Sequence, residues 1–274
     1  MFWLERTPLW IIGLVILVVL LAAEELGYGA RRLTFRKAGG DSSSEGLGYL
    51  LTGALALLGL LIAFTFSAAS DRYDTRRHLV VEEANAIGTT YLRIQALDET
   101  PRAALSALMV RYGHVRLAFY DAGEDAARLQ RSRADTDDLQ NQIWAETVAV
   151  VRANPTATIN PGLQQTTNDM FDLAASRRAA MDARLPISIL RALLAFALIS
   201  AGIIGYGMAR ERRLVVVSAA LFLALSVAIC LILDLDRPRS GTVTISQAPM
   251  IEAIASMESA EAAKTAAAPS RSSP

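Results

Sequence analysis

Apolar residues along the chain gather into four blocks, 9–23, 47–70, 187–209 and 214–235, with charged residues recurring between them. The last three are long enough to cross a hydrocarbon core of about 30 Å at about 1.5 Å of helix per residue. The first is shorter and is closed by Glu24 and Glu25. The pattern predicts an all-α integral membrane protein with four transmembrane helices. The second block organises the rest. Between 47 and 70 its only polar side chains are Tyr49, Thr52, Thr65, Ser67 and Ser70, and charge begins abruptly at Asp71 with no residue that would stop a helix. Beyond that point Val80, Ala84, Ile87, Tyr91 and Ile94 recur at helical spacing, while Arg76, Glu83, Thr90 and Arg93 are placed on other faces. One long helix is therefore expected to leave the membrane and continue as an amphipathic stalk, ended by the DETP run at 98–101.

The stretch 71–185 punctuates as helices, with no convincing strand alternation. Thr100 followed by Pro101 reads as a helix start, and Leu105, Leu108, Tyr112, Val115 and Phe119 supply a stripe up to the acidic run 121–125. Leu139, Ile143, Thr147 and Val150 carry the next helix to Asn154 and Pro155; Asn160 and Pro161 open another, with Leu163, Met170, Leu173 and Met181 inside. The predicted organisation is a first transmembrane helix and basic loop (1–46), a second with its stalk (47–97) and a helical extramembrane domain (98–185). A hairpin of spans three and four (186–236) follows, then a tail (237–274) disordered from about 258, where Ala, Ser and Pro dominate. The Gly- and Ser-rich stretch 39–46 is a surface loop and 210–213 a tight charged turn.

Steps of four place small residues in ridges on three spans: Gly59, Ala63 and Ser67; Ala197, Ala201, Gly205 and Ala209; and Ala220, Ala224 and Ala228. Such ridges let helices approach closely, within one subunit or between subunits. Phe2, Trp3 and Trp10 suit a membrane surface. Ala22 and Ala23 would suit a signal peptidase, but Glu5 and Arg6 leave no net positive charge ahead of the block, which favours a retained span.

The 274 residues carry 27 basic and 27 acidic side chains, so bulk charge predicts no nucleic-acid partner. The single cysteine, Cys230, excludes an intramolecular disulfide. Arg31, Arg32, Arg36, Lys37, Arg210, Arg212 and Arg213 crowd the two short loops, which leans those loops to the cytosol and the middle domain outside. Arg72, Arg76, Arg77, Arg177, Arg178, Arg184, Arg237 and Arg239 oppose that lean from the domain side, so charge leaves the side of the domain open. His78 and His114 stand in no metal-ligand spacing, and zinc-protease, phosphate-loop and nucleophile-elbow patterns are missing. Glu82 and Glu83 are adjacent, hence about 100° apart on a helix, and read as solvated or salt-bridged residues rather than a catalytic pair. No catalytic residue, metal site or cofactor is expected. What stands out is charge at the membrane exits: Asp71, Arg72 and Tyr73 after span two, Asp234 and Asp236 after span four. These groups either pair across neighbouring helices or, with the second span near an oligomer axis, ring a pore mouth.

The run FTFSAASDRY at 64–73 resembles the second-helix signature of bacterial bestrophins, in which a phenylalanine precedes an Ala pair and then an Arg-aromatic pair. DLDRPRSG at 234–241 looks like the acidic segment after their last span, and EEANAIGTTYLR at 82–93 and NDMFDLAASRR at 168–178 look like recurrent blocks of a bacterial membrane family described as bestrophin-like. The resemblance spans residues 47–249. It implies a homo-oligomer, pentameric if bestrophin-like, in a bacterial inner (plasma) membrane with its soluble domain in the cytosol. It also implies a chloride or cation channel that passes small inorganic ions, with a hydrophobic constriction on the second helix. Stepping back by fours from Phe64 gives Phe64, Leu60 and Ala56 as that constriction. The alternative, from a different class, is a non-conducting membrane scaffold or sensor that binds a partner through its helical domain. Under the first reading Leu60 and Phe64 converge on an axis; under the second they pack inside one protomer.

Overall fold

The computed structural model describes residues 7–38, 44–208 and 215–267. Among them are eight helices and no strand: α1 (Leu9–Ala38), α2 (Ser44–Ile94), α3 (Glu99–Asp121), α4 (Ala126–Ala153), α5 (Asn160–Asp182), α6 (Ile187–Met208), α7 (Val215–Leu235) and α8 (Ala248–Ala267). Four helical stretches, Leu9–Leu33, Gly48–Ile94, Asn160–Met208 and Val215–Leu235, are long and apolar enough to cross a membrane. The chain is an integral membrane protein. By contacts it divides into two units, one formed by Met1–Tyr73 with Arg184–Val243 and the other by Asp74–Ala183 with Thr244–Pro274. Residues 39–43 of the expected loop, the turn at 210–213, Phe2, Trp3, Glu5, Arg6 and Ala209 lie outside the described residues.

In the first unit α1 packs on both α6 and α7. Ile12, Ile16 and Leu20 are buried with Leu193, Ala197, Ala201, Phe222, Ile229 and Ile232. The helix does not stop where Glu24 and Glu25 close the apolar block but runs to Ala38, because nothing there breaks it and a partner surface continues. That surface is made of glycine. A Cβ at Gly27 would lie 2.0 Å from the carbonyl oxygen of Gly202, and one at Gly205 would lie 1.8 Å from that of Glu24. The two backbones thus touch where only hydrogen fits. Arg31, buried past the last glycine, donates to the carbonyl of Tyr206 at 2.9 Å and lies over the Tyr206 ring. The third-span ridge is accordingly spent inside the protomer: Ala197 and Ala201 are wholly buried against this core.

In the second unit α3 packs against α4 and α8, and α4 against α5. The core gathers Ile87, Tyr91 and Ile94 of α2 with Leu105, Met109, Tyr112, Leu139, Ile143, Leu163 and Met170. α3 begins at Glu99 with Asp98 at its N-cap, slightly ahead of the Thr100 signal, and Pro101 still sits in the first turn where no N–H is needed. Disorder from 258 is corrected as well, since α8 continues to Ala267. Met250, Ile254 and Met257 bury one stripe of it, Ile254 lying against Gly113. Past 258 it is held by polar contacts: the Tyr91 hydroxyl donates to Glu261 at 2.5 Å, and Lys264 donates to the Gln95 side-chain carbonyl. Alanine content suggests a tail, yet alanine is the best helix former once such anchors exist.

Gly205→Ala should force α1 and α6 apart and cost about 1–3 kcal/mol, read as a lowered midpoint in thermal unfolding of the purified protein. Gly29→Ala, whose Cβ meets nothing within 4 Å, should be neutral or stabilising.

Candidate functional site

α2 is the least covered of the four candidate spans: 11% of its most apolar 18 residues is buried, against 22% to 28% for the others. Its packing is one-sided. Leu58, Thr65 and Ala69 are buried toward the bundle, Thr65 returning its hydroxyl to the Leu61 carbonyl at 2.7 Å. The other side, Gly53, Ala56, Leu57, Leu60, Ala63, Phe64, Ser67 and Asp71, is exposed at the helical step. Leu60 is 50% and Phe64 65% exposed. These two side chains therefore do not pack inside their own protomer. The ridge of Gly59, Ala63 and Ser67 is open, as are Ala220 and Ala224 of α7, in contrast to the covered ridge of α6.

The charges at the exits separate into two sets. Asp236 is buried and accepts the Leu185 N–H on both carboxylate oxygens, at 3.0 and 3.1 Å, with Arg72 3.9 Å away. Asp234 accepts the backbone N–H groups of Thr242 at 2.7 Å and Val243 at 3.2 Å, and also the Thr242 hydroxyl. Gly241 makes this turn possible: a Cβ there would lie 2.4 Å from the Asp234 carboxylate and 2.9 Å from its carbonyl. Arg237 donates to the Thr7 carbonyl at 3.0 Å. Thus Arg72, Asp234 and Asp236 are used in holding chain ends together. Asp71 is exposed, on the side of α2 that carries Phe64, and Tyr73 is half-buried.

The family model for the Bestrophin-like domain matches residues 16–250. This chain belongs to the bestrophin-like family. Its fold is also that of solved bacterial proteins. A bestrophin homologue from Klebsiella pneumoniae superimposes with a TM-score of 0.62 at 14% identity, over 89% of this chain and 95% of that one. A singly substituted form of a Klebsiella pneumoniae homologue gives 0.65 at 11% identity over 90% and 97%. A structure described only as a membrane protein gives 0.66 at 11% identity over 90% and 98%. No curated protein matches by sequence.

The bestrophin-like chain holds one cluster whose role its sequence pattern concealed. Arg76, Glu83 and Thr90, expected off the apolar face of α2, are buried on it. Their steps of seven put them in the same stripe as Val80, Ile87 and Ile94. Glu83 sits between two guanidiniums, bonded to Arg116 Nε and, at 2.5 Å, to Arg177 Nη1. Arg177 continues to Gln247 Oε1 at 2.6 Å, and Arg116 lies over the Phe119 ring. Burial would lower the Arg116 pKa, and the Glu83 carboxylate more than offsets it, holding Arg116 charged. Arg76 donates to the carbonyls of Ala180 at 2.9 Å and Ala183 at 2.7 Å, closing the C-terminus of α5. Thr90 Oγ1 reaches the Thr166 carbonyl at 3.1 Å. Arg93, half-buried, donates to the Gly162 carbonyl. The cluster positions the extramembrane part of α2 rather than facing a cavity. The one available signal was a charge repeating in register with aliphatic residues.

Glu83→Gln removes the only negative charge between two buried guanidiniums and should destabilise the protein by about 3–5 kcal/mol in equilibrium unfolding. The neighbouring exposed Glu82→Gln should stay within about 0.5 kcal/mol of wild type.

Proposed function

We propose that this bestrophin-like chain is a subunit of an oligomeric ion channel of the bacterial inner membrane. In this reading the second helices surround an axis, and Ala56, Leu60 and Phe64 form its hydrophobic constriction. The observation that carries the reading is the open side of α2, which is bare in the protomer although the opposite side is packed. A face meant only for lipid would gain from large side chains along its length. This one alternates Leu57, Leu60 and Phe64 with Gly53, Ala56, Ala63 and Ser67, the latter small enough for copies of the same helix to come close. Rings of Leu60 and Phe64 would exclude water when the axis is narrow, so that passage is gated by dewetting. Asp71, about two turns beyond Phe64, would place a ring of carboxylates at the exit and favour cations near the mouth. The family resemblance supports a pentamer as the assembly.

The test is ion flux into liposomes carrying the purified protein, for wild type and Phe64→Ala. Truncation of the constriction should raise flux several-fold over wild type, with little change in stability because Phe64 is 65% exposed in its own chain. Well-folded oligomers that pass no ion in either form, over several salts, would end the channel reading in favour of the scaffold.

A further inference from the structure

A second feature of the membrane unit lies away from α2. α1, α6 and α7 leave between them a groove of about 240 Å³ with almost wholly aliphatic walls, including Ile12, Ile16, Leu190, Leu194, Ile229 and Leu233. Its lining on α6 runs from Ile187 to Leu194, which is about 10 Å of helix axis. The α1 residues come from the beginning of that helix and the α7 residues from its end, so the groove occupies one leaflet at the membrane surface where α6 starts. No residue of α2 borders it.

Arg191 stands at the wall of this groove. It is exposed and makes no hydrogen bond or ion pair with any described residue. It is also the only charged residue of α6. An arginine one turn inside a membrane span is costly, by about 2.5–3.5 kcal/mol at a helix centre, unless its guanidinium reaches the interface and finds a partner there. The guanidinium fork matches a phosphate diester in a bidentate geometry. The N-terminal end of α6, one turn away, adds the positive end of a helix dipole to the same spot. Apolar walls confined to one leaflet, with a cation at the surface end, match the headgroup and the upper part of an acyl chain of one lipid.

We propose that this groove binds an acyl chain of an anionic phospholipid whose phosphate pairs with Arg191. The chain fills the space among α1, α6 and α7, and the headgroup supplies the counter-charge that the protein withholds. The site stands whether or not α2 lines a pore, since the two surfaces share no residue.

The experiment is native mass spectrometry of the full-length protein from nanodiscs containing equal phosphatidylglycerol and phosphatidylcholine, counting lipids retained after a detergent wash. Wild type should retain phosphatidylglycerol over phosphatidylcholine by about tenfold, because the phosphatidylcholine phosphate already carries its own quaternary-ammonium counter-charge and gains less from Arg191. Arg191→Gln should bring the ratio close to one, and Arg191→Lys should restore part of it. Val15→Trp, which fills the groove while leaving the charge, should lower retention of both lipids. Arg32→Gln, an exposed arginine elsewhere on the chain, should change nothing. Equal retention of both lipids by wild type, or a preference that survives in Arg191→Gln, overturns the site.

Discussion

A helix of 51 residues that passes from hydrocarbon to water has to satisfy two solvents while being held from one side only. Its backbone is self-sufficient in lipid, because every N–H finds a carbonyl within the same helix. Its side chains are not. Within the membrane unit Leu58, Thr65 and Ala69 fix α2 against the bundle, and in the other unit Glu83, Ile87, Thr90 and Ile94 fix it against α3 and α5. What these contacts leave bare is a line of small and apolar residues from Gly53 to Ser67, and the functional reading rests on that remainder.

The ways of holding each part differ because the solvents differ. In the bundle there is little hydrophobic gain from bringing helices together, so closeness is obtained by deleting side chains, as Gly27, Gly202 and Gly205 do between α1 and α6. In the extramembrane unit an apolar core forms in the usual way, yet its middle is ionic. Glu83 with Arg116 and Arg177 is costly to bury and tolerable only because the guanidiniums also reach Gln247 and an aromatic face. Such a set accepts few alternative alignments. A one-residue slip of α2 would turn Glu83 away from both arginines, so the ionic contact fixes register where interchangeable aliphatic residues would not. Asp234 and Asp236 do comparable work at the end of α7, each carboxylate closing backbone groups that a chain leaving a helix would otherwise strand.

The all-helical fold, the four spans and the long second helix were legible because hydropathy and the absence of helix breakers both act locally. Family membership was legible in short blocks such as 234–241, whose aspartates prove to be capping groups. Less accessible was anything that depends on a distant partner. Glu24 ends an apolar block on paper, but it lies buried against α6 because Gly205 is there to receive it. Glu83 and Arg76 look like surface residues until the arginines of α3 and the carbonyls of α5 arrive. The order of α8 depends on Tyr91, far away in sequence. Of three similar small-residue ridges, composition could not say that α6 would use its own within the protomer while α2 would leave its own open.

That open ridge is the central claim, and proximity between subunits tests it most directly. In a Cys230→Ser background, Leu60→Cys and Phe64→Cys should each be linked by a short bismaleimide into covalent dimers, the largest product that one cysteine per subunit allows. Val18→Cys, on the exposed side of α1, should remain unlinked. Cysteines at 60 and 64 that stay unlinked, in a protein shown by light scattering to be oligomeric, would place the second helices away from the axis and contradict the account.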